Sequence, residues 1–374
     1  MLCIKQQISP LIFFGGIFVK VLMLGEGLNR KGGIVSVQQL ILEQADSTVE
    51  IEHIATLIDG SPLQKIQAFL GALLELSSRL LRQDVSLVHI HVSERGSAFR
   101  QAITVLISKI FKKPVALHTH GSEFHEFYTK LPGWMQSSLS WIYRKCDRFI
   151  VLSESWKDFY VQALGLQPER VVVLPNAVKI PEQVPQRIGA ENNNILFVFF
   201  GRIGQRKGAF DLVRSLSLLP LECRSRLRLV MAGDGEVAQL RRLVSELQLE
   251  EIVSVKDWVS PEQREDLSRR ASVFLLPSYN EGLPMALLEA MSWGLAVVTT
   301  PVGGIPGLIQ HKENGLLVEP GDIYQLADAI KLLVENDKVR ADLGHAARES
   351  VLPFGSQKYW ASLTQVYAST LGRR

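Results

Sequence analysis

The sequence predicts an α/β protein built from two doubly wound parallel-sheet domains. Three observations lead there. Short apolar runs of strand length alternate with longer stretches of helical apolar spacing along most of the chain. The chain has 374 residues, too many for one ordinary core, so two domains of roughly 150 to 190 residues are the default. Residues 179–193, KIPEQVPQRIGAENN, are polar with two prolines, and the alternation restarts after them. They read as the interdomain linker.

The first domain is placed at residues 19–178. Val19 to Leu24 reads as a strand, followed by Gly25-Glu26-Gly27, Lys31-Gly32-Gly33 and a helix from Val35 to Gln44. Glycines at 32 and 33 before a helix start let the backbone approach an anionic ligand, although a plain tight turn has the same composition. Val49 to Leu57 reads as a strand, and Leu63 to Leu81 as a helix with a long apolar stripe. A strand from Leu87 to Ile90 runs into His91. Phe99 to Phe111 is a helix, and the strand Pro114 to Leu117 ends in His118-Thr119-His120-Gly121. Trp134, Trp141 and Arg144-Lys145 lie on the next helix. Arg148 to Leu152 is a strand, Tyr160 to Leu164 closes a helix, and Val171 to Leu174 is a strand ending at Asn176. Polar residues gathered at strand carboxyl ends mark where an open α/β sheet binds ligands.

The second domain is placed at 194–350. Ile195 to Phe200 is a strand ending in the loop Gly201 to Gly208, with a helix from Ala209 to Leu218. Arg228 to Ala232 leads into the turn Gly233-Asp234-Gly235. Gln239 to Leu247 is a helix, Ile252 to Val255 a strand and Pro261 to Arg270 a helix. The densest stretch follows, residues 277–304, PSYNEGLPMALLEAMSWGLAVVTTPVGG. After the apolar run Ser272 to Leu276 comes a polar loop with Glu281 and Gly282. A helix starting near Pro284 carries Glu289, and a second apolar run spans Leu295 to Thr300. First-turn amides of that helix would point back into the loop and favour an anion beside two carboxylates. Tyr324 to Val334 is a further helix, and residues 351–374 form a terminal one carrying Tyr359, Trp360, Leu363, Val366 and Tyr367.

Composition excludes several classes. The net charge is +3, with basic residues dispersed, so no nucleic-acid partner is implied. Cys3, Cys146 and Cys223 have no metal spacing and cannot form an even disulfide set, which fits a reducing compartment. Leu11 to Leu24 is apolar for 14 residues but contains Lys20, short of the roughly 20 a spanning helix needs. No small-residue cleavage site follows. Residues 1–18 are therefore a local anchor, a disordered extension or an over-long start, the last two being favoured.

The 277–304 stretch resembles the E-x7-E signature of the retaining nucleotide-sugar glycosyltransferases of the GT-B fold, in their large family 4. The pattern PS-x-x-EGLP-x-x-x-LEAM-x-x-G is reproduced, with Ala296 where the family usually has Pro. The loop 201–208 resembles that family's GR-x-x-x-x-KG phosphate motif, and His120-Gly121 its HG position. The resemblance covers essentially the whole chain after residue 18. It implies two Rossmann-like domains facing a central cleft, an acceptor domain first and a nucleotide-sugar domain second, with the terminal helix returning to the first.

It also assigns roles. Arg202 and Lys207 would grip the donor diphosphate, and Arg206 either joins them or faces water. Glu289 would accept both ribose hydroxyls; a carboxylate has the two acceptor oxygens a vicinal diol needs. Glu281 would hold donor-sugar hydroxyls and steady positive charge at the anomeric carbon. Backbone amides of Gly282 and Leu283, with Gly32 and Gly33, would meet sugar and phosphate. Asp234 either touches the base or shapes its turn. His120 would bind the transferred sugar or stabilise charge, and Glu123 would meet acceptor hydroxyls. The catalytic set is thus His120, Glu281, Arg202 and Lys207.

His89 and His91 form a metal-like H-x-H with no third ligand evident, and a structural role is favoured. The chain has no Asp-x-Asp pair, so cationic side chains and helix dipoles would replace the divalent ion of other transferases. No metal and no cofactor are expected; the nucleotide diphosphate sugar is the donor substrate. Retention would proceed on one face through a short-lived ion pair, as the family is thought to react. HVSERGSAFR and HTHGSEF resemble members that build bacterial surface or exopolysaccharide on a lipid carrier. The acceptor is then a glycan or lipid-linked hydroxyl, and the place of action the cytoplasm, at the inner face of the membrane. The helices near 99–113 and 134–145 mix cations with bulky apolar groups, which suits either an anionic bilayer or ordinary packing. The rival functions are a nucleotide-sugar epimerase on the same fold, a non-catalytic scaffold, and transfer to a soluble acceptor.

Overall fold

The computed structural model describes residues 19–185 and 194–372. The expected extension 1–18 and residues 186–193 of the expected linker lie outside the described residues. The first half runs β1 (Val19–Glu26), α1 (Gly33–Gln44), β2 (Val49–Leu57), α2 (Pro62–Leu81), β3 (Leu87–Val92), α3 (Gly96–Ile110), β4 (Val115–Thr119), α4 (Phe124–Thr129), α5 (Gly133–Tyr143), β5 (Arg148–Val151), α6 (Glu154–Leu164) and β6 (Val171–Val173). The second runs β7 (Ile195–Phe200), α7 (Ala209–Ser217), α8 (Leu221–Ser225), β8 (Leu227–Ala232), α9 (Val237–Glu246), β9 (Val253–Lys256), α10 (Pro261–Arg270), β10 (Val273–Leu276), α11 (Met285–Ser292), β11 (Ala296–Thr299), β12 (Leu316–Leu317), α12 (Ile323–Glu335), α13 (Asp337–Val351) and α14 (Ser356–Leu371).

These elements make two parallel sheets, ordered β2-β1-β3-β4-β5-β6 and β12-β11-β10-β7-β8-β9. Central parallel strands covered on both faces read as continuous apolar runs, whereas the edge strands β2 and β9 are partly exposed. Every residue of β3, β4, β10 and β11 is buried. The strand order reverses at β1 in one sheet and β7 in the other. The loops that follow those two strands are Lys31–Gly33 and Gly201–Lys207, the positions where doubly wound sheets bind ligands.

Caps fix the helix starts. Ser61 and Ser260 each accept from the backbone N–H three residues on, and Gln64 and Gln263 return the bond, so α2 and α10 open on capping boxes with Pro at the first position. The Ala296 N–H donates to Ser272 O at 3.0 Å, a bond that Pro at this position could not make.

Local expectations are corrected at two strands and three helices. β3 and β4 extend to Val92 and Thr119, so His91 and His118 lie inside strands. α4, α8 and α13 were not anticipated. α13 is mostly polar, and Gly344 in its middle allows close approach: a Cβ there would stand 2.3 Å from Gly294 O. The last helix, α14, crosses back to pack on α1, β3 and β4. The two crossings between halves touch: Val178 N donates to Phe354 O at 2.9 Å and Ser356 N to Val178 O at 3.1 Å. Among the described residues no helix is long and apolar enough to cross a membrane.

Candidate active site

Carboxyl-end loops of both sheets enclose a cavity of about 310 Å³. It brings together Gly32, Gly33, His120, Arg202, Lys207, Asp234, Glu281, Gly282 and Leu283. The two halves meet around it. Asn176 Nδ2 donates to Leu283 O at 2.7 Å, Trp156 Nε1 to Gly282 O at 3.4 Å, and Asn280 Nδ2 to Glu126 Oε1 at 3.1 Å. Arg206 reaches Ser122 Oγ at 3.2 Å and Asn280 O at 3.0 Å, so it ties the halves together and does not simply face water.

Two helix N-termini converge here, α1 from the first half through Gly32, Gly33 and Ile34, and α11 from the second through Leu283 to Ala286. First-turn amides have no acceptor within their own helix, so both ends favour an anion. Gly32 has φ 144 with open space where a side chain would stand, so glycine is required and the backbone is bared to the cavity. The walls carry Lys31, Arg202, Arg206, Lys207 and Arg264 against only Asp234 and Glu281. That excess of cations marks a site for a multiply charged anion.

Lys207 and Glu281 are paired with each other. Lys207 Nζ donates to Glu281 Oε1 at 2.5 Å, and Ser278 Oγ donates to the same oxygen at 2.7 Å. Side-chain exposures of 15% and 5% make this a nearly desolvated ion pair. Burial pushes the Lys207 ammonium below its ordinary range; Glu281 opposes that shift and Arg206 adds to it. Arg202 is exposed and faces Asp234 at 3.5 Å, so it stands at the mouth. His120 lines the cavity with Nε2 2.9 Å from His91 Nδ1, and burial lowers its pKa to about 3. It is neutral at physiological pH.

The structure does not bring Glu289 into this cavity. It lines an adjoining one of about 340 Å³, its carboxylate held by Arg264 Nη1 at 2.5 Å. Arg264 lines both spaces and lies 5.8 Å from the Phe200 and Trp258 rings, between cavity and carboxylate. Glu123 also lies elsewhere, in a pocket of about 220 Å³, paired with Arg95 at 3.1 Å.

Sequence reasoning missed Arg264 and Trp258 as lining residues; Ser122 and Asn176 follow apolar strands, where ligands are expected, but receive no role from the sequence. The histidine reading also changes, because His118 of β4 supplies the third imidazole that the H-x-H lacked. His89, His91 and His118 have ring nitrogens within 4.8 Å of one another.

Comparison with known proteins gives a consistent picture. Residues 14–180 match the family model for Glycosyltransferase Family 4, and residues 182–350 that for Glycosyl transferases group 1. The UDP-Gal:alpha-D-GlcNAc-diphosphoundecaprenol alpha-1,3-galactosyltransferase of Escherichia coli is 25% identical over 334 residues, 83% of this chain and 81% of that protein. The D-inositol 3-phosphate glycosyltransferase of Xylanimonas cellulosilytica is 28% identical over 61% of this chain; there the chain spans only 58% of the relative's length. Among solved structures, Anabaena HepE in complex with UDP and glucose superimposes with a TM-score of 0.74 at 17% identity, covering 94% of this chain and all of that one. Sucrose-phosphate synthase from Thermosynechococcus elongatus gives 0.76 at 18%, covering 95% and 100%. At such identities these two structures speak for the GT-B fold.

Proposed function

Because the chain belongs to the family 4 and group 1 glycosyltransferases, a class that moves a sugar from a nucleotide-sugar donor to an acceptor, we propose the following specific reaction. The protein transfers a hexosyl or N-acetylhexosaminyl residue, with retention, from a nucleotide diphosphate sugar to a hydroxyl of a glycan or lipid-linked acceptor in polysaccharide biosynthesis. The observation that carries the reading is the meeting of two helix N-termini and five cationic side chains around one interdomain cavity. The complex of HepE with UDP and glucose, and the UDP-Gal named for the E. coli relative, make a UDP-sugar the first donor to test.

The diphosphate lies between the starts of α1 and α11, with Lys207 and Arg202 on its oxygens. Charge develops there as the glycosidic bond breaks, and fixed donors aimed at it lower the barrier. A phosphate oxygen competes with Glu281 for Lys207, which frees Glu281 to take donor-sugar hydroxyls and to face positive charge at the anomeric carbon. His120 contacts the same sugar. Glu289 receives the ribose diol once Arg264 swings out of their pair, and Trp258 offers an aromatic wall to the base. The leaving phosphate then accepts the acceptor proton on the face it leaves. Lysine, arginine and helix dipoles supply the positive charge, so the reaction is expected to proceed without a divalent ion.

The lipid-linked acceptor places the protein at the inner face of the membrane. Exposed apolar residues on three neighbouring helices support this: Leu63, Ile66, Leu70, Leu74 and Leu81 on α2, Ile103 and Ile110 on α3, and Trp134 and Trp141 on α5. Lys145 Nζ lies 3.8 Å over the Trp141 ring, a pairing that suits an interface with anionic headgroups. Flotation with anionic vesicles checks it; protein that stays in solution at low salt refutes it.

Nucleoside-diphosphate release from a panel of UDP-, GDP- and ADP-sugars, with and without metal, tests the chemistry. Slow, metal-independent release from one donor, lost on Lys207→Ala, supports the transferase. A changed nucleotide sugar with no diphosphate released indicates an epimerase, and no binding to any donor indicates a scaffold.

A further inference from the structure

The proposed transfer uses one of four stacked histidines, of which His89, His91 and His118 are buried and His120 is half-buried at the cavity. His89 and His91 lie on β3, and His118 and His120 on and just past β4, with His91 opposite His118 in register. Alternation along strands puts all four rings on one face. They form two hydrogen-bonded pairs. His89 Nε2 lies 3.3 Å from His118 Nδ1, with ring planes 9° apart. His91 Nδ1 lies 2.9 Å from His120 Nε2, with planes 11° apart. One pair rests on the other, with ring centroids 4.4 Å apart for His89 and His91 and 4.2 Å for His118 and His120. Tyr367 of α14 closes the far end, its hydroxyl 2.8 Å from His89 Nδ1.

Three close imidazoles also have the spacing of a cation site. However, both nitrogens of His89 and one of His118 already have partners, so an ion would have to break those bonds. A ladder of neutral rings accounts for the same geometry with its bonds intact.

The proton between His91 and His120 has a preferred owner. His91 Nε2 is fully buried and has no partner among the described residues. A buried N–H without an acceptor is rarer than a buried lone pair without a donor. Nε2 is therefore the bare nitrogen, and the His91 proton sits on Nδ1, donated to His120 Nε2. A neutral imidazole that accepts at one nitrogen carries its proton on the other. We propose that His91 is a positioning residue that locks His120 in the Nδ1–H tautomer, so that His120 offers the sugar a hydrogen-bond donor and not a base.

This rests on the reading of His120 as a sugar contact. The groups facing His120 are His91 and His118 beside it, Glu94 under Gly121, and Lys207, Arg206 and Glu281 around the same cavity. Burial keeps His91 and His118 neutral far below their ordinary range, so the donor persists across physiological pH.

The test uses the full chain labelled with 15N-histidine, with the His120 signal assigned by its loss in His120→Gln. Two-bond proton–nitrogen correlation reads the tautomer whether or not any donor is turned over. The expected result is an Nδ1–H signature for His120, constant from about pH 7.5 to about 5.5. His91→Phe should move His120 to Nε2–H and lower kcat about tenfold at similar donor KM, the worth of one hydrogen bond. His91→Asn, which keeps a donor near the Nδ1 position, should restore both the signature and most of kcat. An Nε2–H signature in the wild type overturns the proposal even if His91→Phe fails to fold. So does a His120 signal unchanged in His91→Phe, or a stoichiometric transition metal in the purified protein. If the tautomer is as stated but no sugar donor is bound, the function fails and the lock stands.

Discussion

Replacing Lys207 by Met should destabilise the protein out of proportion to the surface it touches, and replacing Glu281 by Gln as well should reverse that. At an effective dielectric of about 20, unit charges about 2.5 Å apart attract by roughly 6 to 7 kcal/mol. Taking both out of water costs several kcal/mol per ion, so the intact pair contributes little net stability. Lys207→Met removes the attraction and leaves Glu281, 4% exposed, with Ser278 as its remaining hydrogen-bond donor among the described residues. Breaking one partner of a buried pair costs about 3–5 kcal/mol. In Lys207→Met/Glu281→Gln both charges are gone and shape is nearly kept, so stability should return to within about 1 kcal/mol of the wild type. Urea unfolding of the four proteins in a double-mutant cycle reads the coupling. A coupling below about 0.5 kcal/mol would refute a desolvated pair. Activity must part company with stability: the double variant should stay at least a hundredfold slower, because a donor aimed at the leaving diphosphate is worth about 3 kcal/mol. A stable double variant that turned over donor normally would remove Lys207 from the chemistry.

Acid should unfold the protein from below about pH 6.5. His89 and His120 have pKa values of about 3 in the folded chain against 6.5 as free groups. The unfolded state therefore binds more protons in between, and stability present above 6.5 is lost as pH falls, by about 2 kcal/mol per such histidine at pH 5. His89→Asn should flatten the slope of unfolding free energy against pH by about 1.4 kcal/mol per unit; an unchanged slope would mean the ring is protonated when folded. Gly344→Ala should cost about 1–3 kcal/mol, since its Cβ meets the Gly294 backbone at 2.3 Å; an unchanged melting temperature would show that α13 shifts freely. Glu289→Gln should weaken donor binding at least tenfold by calorimetry, the worth of hydrogen bonds to a charged acceptor. Equal affinity would leave Glu289 as the partner of Arg264 and nothing more.

The central strands were legible because parallel strands buried on both faces need uninterrupted apolar runs, as in β7, β10 and β11. The cavity was legible where residue type and chemistry coincide: a carboxylate beside glycines in the 281–283 loop, cations in the 201–208 loop, a histidine at a strand end. Legibility failed where tertiary contact outweighs local character. A histidine reads as a strand stop, yet β3 and β4 run through His91 and His118 because other imidazoles satisfy them. α13 was hidden because it buries only Leu343, Ala347 and Val351 as apolar side chains, with Gly344 and Arg340 completing the packed face. For Arg206 the sequence leaves phosphate and water both open, because its partner Ser122 lies in the other half of the chain. Arg264 gave no local sign, since its importance comes from standing between two cavities.

The return of α14 has a consequence for how this chain is made. The first sheet is complete in sequence at β6, but Tyr367, which closes the histidine ladder on β3 and β4, belongs to α14. At roughly 5 to 20 residues per second of synthesis, the ribosome needs on the order of ten seconds or more to reach it. Throughout that interval the nascent first half lacks the helix that packs on α1, β3 and β4, and the His89 end of the ladder is uncapped. The second half is therefore synthesised beside an unfinished neighbour.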